Sequence, residues 1–429
     1  MSRRGRMAIA VDANQPEGRR LRGFIAEAPT PTGRARAFLA LLLVLVPPVF
    51  TAMMGTPVVP IIPAVAKHFG GGDAGAFAAQ MMVTVPCIGV IIGGPIAGWL
   101  IERIGIRAVI IGSAVLMGLA GMAGAFTHDI APFLFSRLLV GFGAAGGYTA
   151  LLTLAGLLFQ GRTLARVLGY QASVAAVVSM GSIMISGYIA EHVEWRVSYG
   201  LYALVLLFVP LALLGRWPAQ PVSVQARAAG AEAFGRIWPI LLIMIPIYAA
   251  AFMSVVQGSF MMTANGITKP TLQSSLIAMA TIMFTISSWN YGRLRSRLSG
   301  SATFVIALLL LGGGIVLMGS LHPAWAMGLS CAMMGAGAGI ATPYLSQQIL
   351  ERVTAEQRGR AVGFIAPAHY LGEFANPFIM HPLRMAIGIH AAFILFGAFI
   401  MLGALFALRA NRKPVGPDPE PAPEPAVAA

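Results

Sequence analysis

The stretch VIALLLLGGGIVLMG, residues 305–319, carries no charge and nowhere alternates polar with apolar side chains. A strand of a membrane barrel must alternate, because its residues face lipid and lumen in turn. This run therefore reads as helix. Comparable runs of about 20 residues, long enough as helix to cross a hydrocarbon core of about 30 Å, recur along nearly the whole chain. Twelve are predicted, near 37–58, 79–100, 107–126, 131–157, 168–190, 197–215, 237–261, 272–291, 302–320, 324–347, 361–383 and 387–409.

Composition agrees with that count. Of 429 residues, 57% are hydrophobic and only 10% charged, where a soluble domain carries roughly a quarter charged residues. An all-α polytopic membrane protein is expected. Loops that stay in the cytoplasm keep Lys and Arg. Threading the twelve runs from an inside N-terminus places 24 of the 29 basic residues on one side, which predicts a plasma-membrane protein with both termini cytoplasmic. The net charge of +14 then reports topology and attraction to anionic lipid rather than nucleic-acid binding. The basic tail 1–36 has no small-residue cleavage site after a short apolar core, so no signal peptide is expected. The tail 410–429, rich in proline and acid, reads as a solvated, disordered end. Cys87 and Cys331 lack metal-type or redox-type neighbours and read as packing residues, so neither cofactor nor metal is expected.

Shifting the sequence by 194 residues superimposes Arg103 on Arg297, Ser136 on Ser330, Gly141 on Gly335, Gly143 on Gly337 and Arg166 on Arg360. One offset serves the second to the fifth run. The chain is therefore read as two six-helix halves, 37–215 and 237–409, joined by the polar loop 216–236. Transporters are commonly built from such repeats, with the substrate site between the halves near the midplane.

Local motifs narrow the class. GWLIERIGIR, residues 98–107, pairs glycines for a tight turn with an acid and arginines placed to hold neighbouring loops and helix ends. It resembles the signature of the major facilitator superfamily, Gly-x-Leu-x-Asp-Arg-x-Gly-x-Arg, with Gly98, Leu100, Arg103, Gly105 and Arg107 matching and Glu102 in place of Asp. A worn copy, GRLRSRLSG, stands at 292–300. The resemblance implies that Gly98, Glu102, Arg103, Gly105 and Arg107 form a latch for one of two access states. SRLLVGFGAAGG, 136–147, is similar to the family's fourth-helix pattern, with Val140 replacing Gln. PVVPIIPAVAKHFG, 57–70, resembles the Pro-rich element of twelve-helix drug:proton antiporters, and Arg358, Gly359, Arg360, Gly363, Trp195 and Arg196 fit the same group. One element departs from it. Where that group carries Gly-Pro-x-x-Gly-Gly in helix five, this chain has Ser182, Ile183, Ser186 and Gly187. What remains is a small-residue stripe, Ala172, Ala175, Ser179, Ser182 and Ser186, suited to close packing.

Of fifteen acids, only Glu373, in AHYLGEFANPFIM at 368–380, falls inside a span away from tails and loops. His369 and Asn376 share its helical face. An intramembrane charge is costly and by default marks a functional site. Glu373 is the candidate protonation site, His369 its modulator and Arg137 an opposing charge in the other half. The alternatives are contact with a cationic substrate, or a pairing of Glu373 with His369 that is only structural; Arg137 could equally be held by backbone carbonyls. Gln257, flanked by Met253, Met261 and Met262, and Gln171, Asn290, Tyr344, Gln347 and Asn376 are candidate cavity-lining groups, the methionines able to repack around varied compounds. The expected protein is a monomeric secondary transporter that exports a small, fairly hydrophobic compound in exchange for protons. The competing readings are an importer or symporter for a metabolite or peptide-like compound, and a non-transporting sensor. An enzyme is not expected, because one Glu beside one His lacks a nucleophile or metal set. No Gly-Lys-Ser/Thr loop for ATP is present.

Overall fold

The computed structural model describes residues 43–44, 46–159, 161–214, 230–353 and 358–410. The two tails, most of the central loop and the end of the loop before Arg358 lie outside them, as do the side chains of Arg358 and Arg360 and of Ala172. Every regular element among the described residues is helical. Among the described residues, ten helices are long and apolar enough to span a membrane, and two of these are double. Gly72–Ala123 turns back at Gly105, where φ is 85° and ψ 158°, and Arg358–Ala410 does so at Gly388, with φ 80° and ψ 165°. A side chain is strained at such φ values, so glycine alone makes these one-residue turns. Twelve crossings result.

They are labelled as follows. α1 is Pro47–His68; α2 and α3 are the arms of Gly72–Ala123 on either side of Gly105. α4 is Ile130–Leu158, α5 Gly161–His192 and α6 Trp195–Leu214. α7 is Gly230–Ala251, continued as Met253–Val256 and Gly258–Ala264. α8 is Pro270–Arg297, α9 Gly300–Ser320 and α10 Ala324–Glu351. α11 and α12 are the arms of Arg358–Ala410. The first span ends later than hydropathy suggests, with residues 37–42 of it outside the described ones, and the second starts earlier. PVVPIIP carries α1 to His68 through a 3-10 segment, Thr56–Ile61, since proline removes the amide that an α-helical turn there would use. α2 begins at Gly72, the last of three consecutive glycines of positive φ, Gly70, Gly71 and Gly72.

The repeat is visible in the packing. A methyl on Gly141 would run into the Pro86 carbonyl of α2, and one on Gly335 into the Ala280 carbonyl of α8. A Cβ at Gly143 would stand 2.9 Å from the Ser113 carbonyl oxygen and 2.8 Å from the Met117 nitrogen. At Gly337 the corresponding distances, to Ala307 and Leu311, are both 2.6 Å. Every one of these neighbours is related by the same 194-residue shift that aligns the glycines. α4 and α10 are thus seated identically in their own halves, each touching backbone directly, as small residues permit where apolar side chains gain little by leaving lipid.

Between the halves the fit is uneven. At the end that carries Gly388, α5 meets α8 closely, and a Cβ on Gly187 would lie 3.0 Å from the Pro270 carbonyl oxygen. Glu191 of α5 accepts a hydrogen bond from the Thr271 amide, 3.1 Å, at the N-terminus of α8, where the helix dipole favours a carboxylate. Toward the Gly105 end the contact is lost. The buried residues of α8 stop at Ala278, and none from Met279 to Arg297 is buried. On α5, Ser182, Ile183, Ser186 and Gly187 are buried, whereas Ser173 to Gly181 are not. The halves close on each other at the Gly388 end and part at the Gly105 end.

Candidate functional site

Gly372 decides where Glu373 lies. A side chain there would stand 2.7 Å from the Ile245 carbonyl oxygen and 2.6 Å from Tyr248 Cβ, so its absence lets α11 sit directly on α7. The next residue, Glu373, is turned into the seam between the halves and is only 3% exposed. Its carboxyl lies close enough to the thiol of Cys87 on α2 to interact with it. Tyr370 interacts electrostatically with both Glu373 and Cys87, and with Tyr148 from α4. Both Glu373 and Cys87 fall near the middle of their helices. No ion pair joins Glu373 to any described Lys, Arg or His.

His369 is one turn away but turns its ring from the carboxylate. It packs on Tyr248, centroids 4.2 Å apart, and edge-on to Phe252 at 5.2 Å, both on α7. The shared face expected from the four-residue spacing is therefore split, because the aromatic wall of α7 holds the imidazole.

One turn to the other side, Asn376 is fully buried. Its amide donates to the Ala249 carbonyl, 2.8 Å, and it accepts from Gln257 Nε2 at 2.9 Å. Gln257 and Gln80 of α2 exchange two hydrogen bonds of 3.1 Å each, and Arg384 Nη1 donates to Gln257 Oε1 at 3.1 Å. Gln257 stands at the interruption of α7 between Val256 and Gly258. Gln257 and Asn376 thus lie at the seam, spent on one another and on α2.

The other predicted groups are placed elsewhere. Arg137 is fully buried within the first half. Its Nη2 donates to the carbonyls of Ala120 and Gly121 at 3.0 and 2.7 Å, its Nε donates to Ser136 Oγ at 3.3 Å, and its guanidinium lies 5.1 Å from the Tyr199 ring and 5.3 Å from that of Tyr202. Those acceptors are the last carbonyls of α3, which lack intrahelical partners. It caps a helix and does not face Glu373, so the opposing-charge expectation is corrected to the carbonyl-bound alternative. Arg137→Ala is expected to lower stability by about 2–4 kcal/mol, through lost packing and uncapped buried carbonyls, read as the melting temperature of the purified protein. Arg137→Lys should recover only part of this, since one ammonium cannot serve two carbonyls and a hydroxyl with a fork's geometry.

Gln171 is buried and donates to the Val44 carbonyl at 2.6 Å, pinning α5 to the chain before α1. Tyr344 stacks on Phe304 at 4.8 Å. Gln347 accepts from the Tyr291 hydroxyl at 2.7 Å and donates to Glu351 at 2.7 Å, while Asn290 donates to Ile286 O and accepts from Arg293. These three lie toward the Gly105 end of α8 and α10, not beside Glu373. In the 98–107 motif, Gly105 makes the turn, Arg107 donates to the Leu213 carbonyl at 3.0 Å near the end of α6, and Arg103 lies 4.2 Å over the Trp99 ring. Glu102 is exposed, and Gly98 has open space beside it. Ser182 and Ser186 bond to Thr56 Oγ1 and the Pro57 carbonyl, both 2.5 Å, so the small-residue stripe packs on α1.

Sequence reasoning missed Cys87, Gln80 and Arg384 as members of the seam. A signal existed for the first two: Gln80, Thr84 and Cys87 recur at i, i+4 and i+7, one face of α2.

A twelve-helix bundle of two like halves, with a buried carboxylate at their seam, defines a membrane transporter. The family model described as Major Facilitator Superfamily matches residues 48–377 and 240–428, and the chain belongs to that superfamily. It is similar to the multidrug resistance protein MdtG of Klebsiella pneumoniae, 21% identical over 379 residues, covering 85% of this chain and 91% of the relative. The bacillibactin exporter of Bacillus subtilis is 23% identical over 381 residues, covering 84% and 92%. The 3-(3-hydroxy-phenyl)propionate transporter of Escherichia coli is 28% identical over 158 residues, 34% of this chain and 37% of its own. Among solved structures the nucleoside transporter NupG shares the fold, with a TM-score of 0.69 at 12% identity, covering 87% of this chain and 98% of that one.

Proposed function

We propose that this transporter exports a small, fairly hydrophobic compound in exchange for protons, with the halves 37–215 and 237–409 rocking about the seam. The observation that carries the reading is Glu373: a buried carboxyl at mid-depth, at the seam of both halves, with no ion pair to any cation among the described residues. Such a group is costly as a carboxylate unless something positive arrives, and a proton is the smallest thing that can. Because Cys87 belongs to one half and Glu373 to the other, a change in its charge bears directly on whether the halves hold together. Placing the Gly105 end in the cytoplasm follows from the 24 basic residues assigned to that side. In that orientation the described arrangement is open inward, ready to take a compound from the cell. Anionic lipid around the basic loops and a monomeric working unit belong to the same proposal.

Similarity to a multidrug resistance protein and to a bacillibactin exporter supports export. The altered helix-five element, where Ser182 and Ser186 bond to α1, favours import or symport as the second reading. Purified protein in liposomes loaded with a pH-sensitive dye separates the two, once a screen of lipophilic compounds has found one that moves. Antiport predicts proton movement opposite to the compound, symport predicts movement with it, and transport with no proton signal overturns coupling.

A further inference from the structure

The polar residues of the seam are arranged in tiers. α2 offers Cys87, then Gln80 two turns on, and α11 offers Glu373, Asn376 and Arg384 on the face toward it. Cys87 meets Glu373 at mid-depth. Gln80 and Asn376 are bridged through Gln257 roughly 5–10 Å further toward the Gly388 end, at 1.5 Å per helical residue. Arg384 completes the tier from outside, bonded to Gln257 and 5.0 Å from the Phe260 ring, with Asp73 near enough to interact with its charge. Phe77 closes beside it, packed on Phe378 and His381 of α11 at 5.7 and 4.9 Å.

From these contacts we infer that Gln80, Gln257, Asn376 and Arg384 are positioning residues for transport: together they form the barrier that seals Glu373 from the Gly388 end, and Gln80 separates from the other three when that end opens. Three observations distinguish a barrier from ordinary packing. Gln80 belongs to one half and Gln257, Asn376 and Arg384 to the other, so a motion that parts the halves must break the two Gln80–Gln257 bonds. Gln80, Gln257 and Asn376 are fully buried, 0% exposed, yet amides gain little net by bonding one another rather than water. A junction of this kind is therefore tight while dry and easily replaced once water enters. Finally, Gln257 sits at the interruption in α7, where the outer segment Gly258–Ala264 can swing on a short hinge. Asn376, three residues beyond Glu373, ties the barrier to the carboxyl through one rigid turn. The inference does not depend on what Glu373 binds.

Cys87 is a built-in reporter, because it lies on the far side of the barrier from the Gly388 end. In a Cys331→Ser background, labelling of Cys87 by a membrane-impermeant thiol reagent is measured from each face, using intact cells and inside-out vesicles. Gln257→Ala is expected to raise the rate from the Gly388 face about tenfold, the equivalent of about 1.4 kcal/mol withdrawn from the closed state, with no rise from the Gly105 face. An unchanged rate from the Gly388 face overturns the inference. Should Gln257→Ala raise labelling equally from both faces, as general loosening would, Arg384→Gln and Gln257→Asn decide, since each keeps polar groups and most of the volume. A rise confined to the Gly388 face in those two supports the barrier; no rise in either overturns it. Retention of proton coupling in Glu373→Gln, with labelling that still follows the barrier, would strike the proton reading alone.

Discussion

Glu373→Gln is expected to abolish pH-gradient-driven transport while leaving exchange of compound across the membrane intact. Glutamine has the shape of the protonated acid and can still lie against Cys87 and Tyr370, so the seam should assemble as before. What it cannot do is release a proton. With one proton exchanged per molecule, a gradient of one pH unit sustains about tenfold accumulation, because one unit equals 1.36 kcal/mol. In liposomes the wild type should approach that ratio and Glu373→Gln should settle near equality on the two sides. Glu373→Asp separates charge from reach. It keeps the carboxyl but draws it back by one methylene from Cys87 across the seam, so coupling should survive at a reduced rate. A glutamine variant that accumulates compound as fast as the wild type would remove Glu373 from the coupling mechanism, and with it the main support for antiport.

The fold was legible because hydrophobic run length and a fixed repeat offset are properties of the backbone scaffold. Residues 305–319 needed no partner to be read as a span, and the 194-residue shift already paired Gly141 with Gly335. Charge likewise identified Glu373, since a carboxylate in an apolar run has few innocent explanations. Other features were hidden for a physical reason. Helical spacing says which side chains share a face but not which neighbour that face meets. His369 and Glu373 share one in sequence, yet the rings of Tyr248 and Phe252 hold the imidazole against α7. Arg137 reads in sequence as an opposing charge or as a carbonyl-bound arginine, and only the positions of the Ala120 and Gly121 carbonyls show that it ends a helix. Cys87 gave no signal by itself, since a buried thiol is ordinarily core filler; its meaning comes from Glu373, 286 residues later in the chain. Arg384 falls between the expected spans 361–383 and 387–409 because hydropathy ends a span where charge begins, whereas α11 continues past it to Gly388.

The glycine seats predict the largest loss of folded protein. Gly141→Leu and Gly335→Leu should each eliminate most of it, because the added side chain points at the backbone of a neighbouring helix, Pro86 in one half and Ala280 in the other. Neither carbonyl can move aside as a flexible side chain would. Alanine is the graded test. Overpacking by a single methyl costs about 1–3 kcal/mol in a close-packed core, and here it would push α2 from α4, or α8 from α10, along the contact that organises each half. Gly112→Ala is the control, since open space surrounds that position and alanine favours helix over glycine by up to about 1 kcal/mol. Thermal melts followed by size-exclusion chromatography should place Gly141→Ala and Gly335→Ala well below the wild type and Gly112→Ala at or slightly above it. Because the two seats are copies, their losses should be similar in size. A large loss at Gly141 with none at Gly335 would mean that the halves are alike in sequence pattern but not in how they are held together.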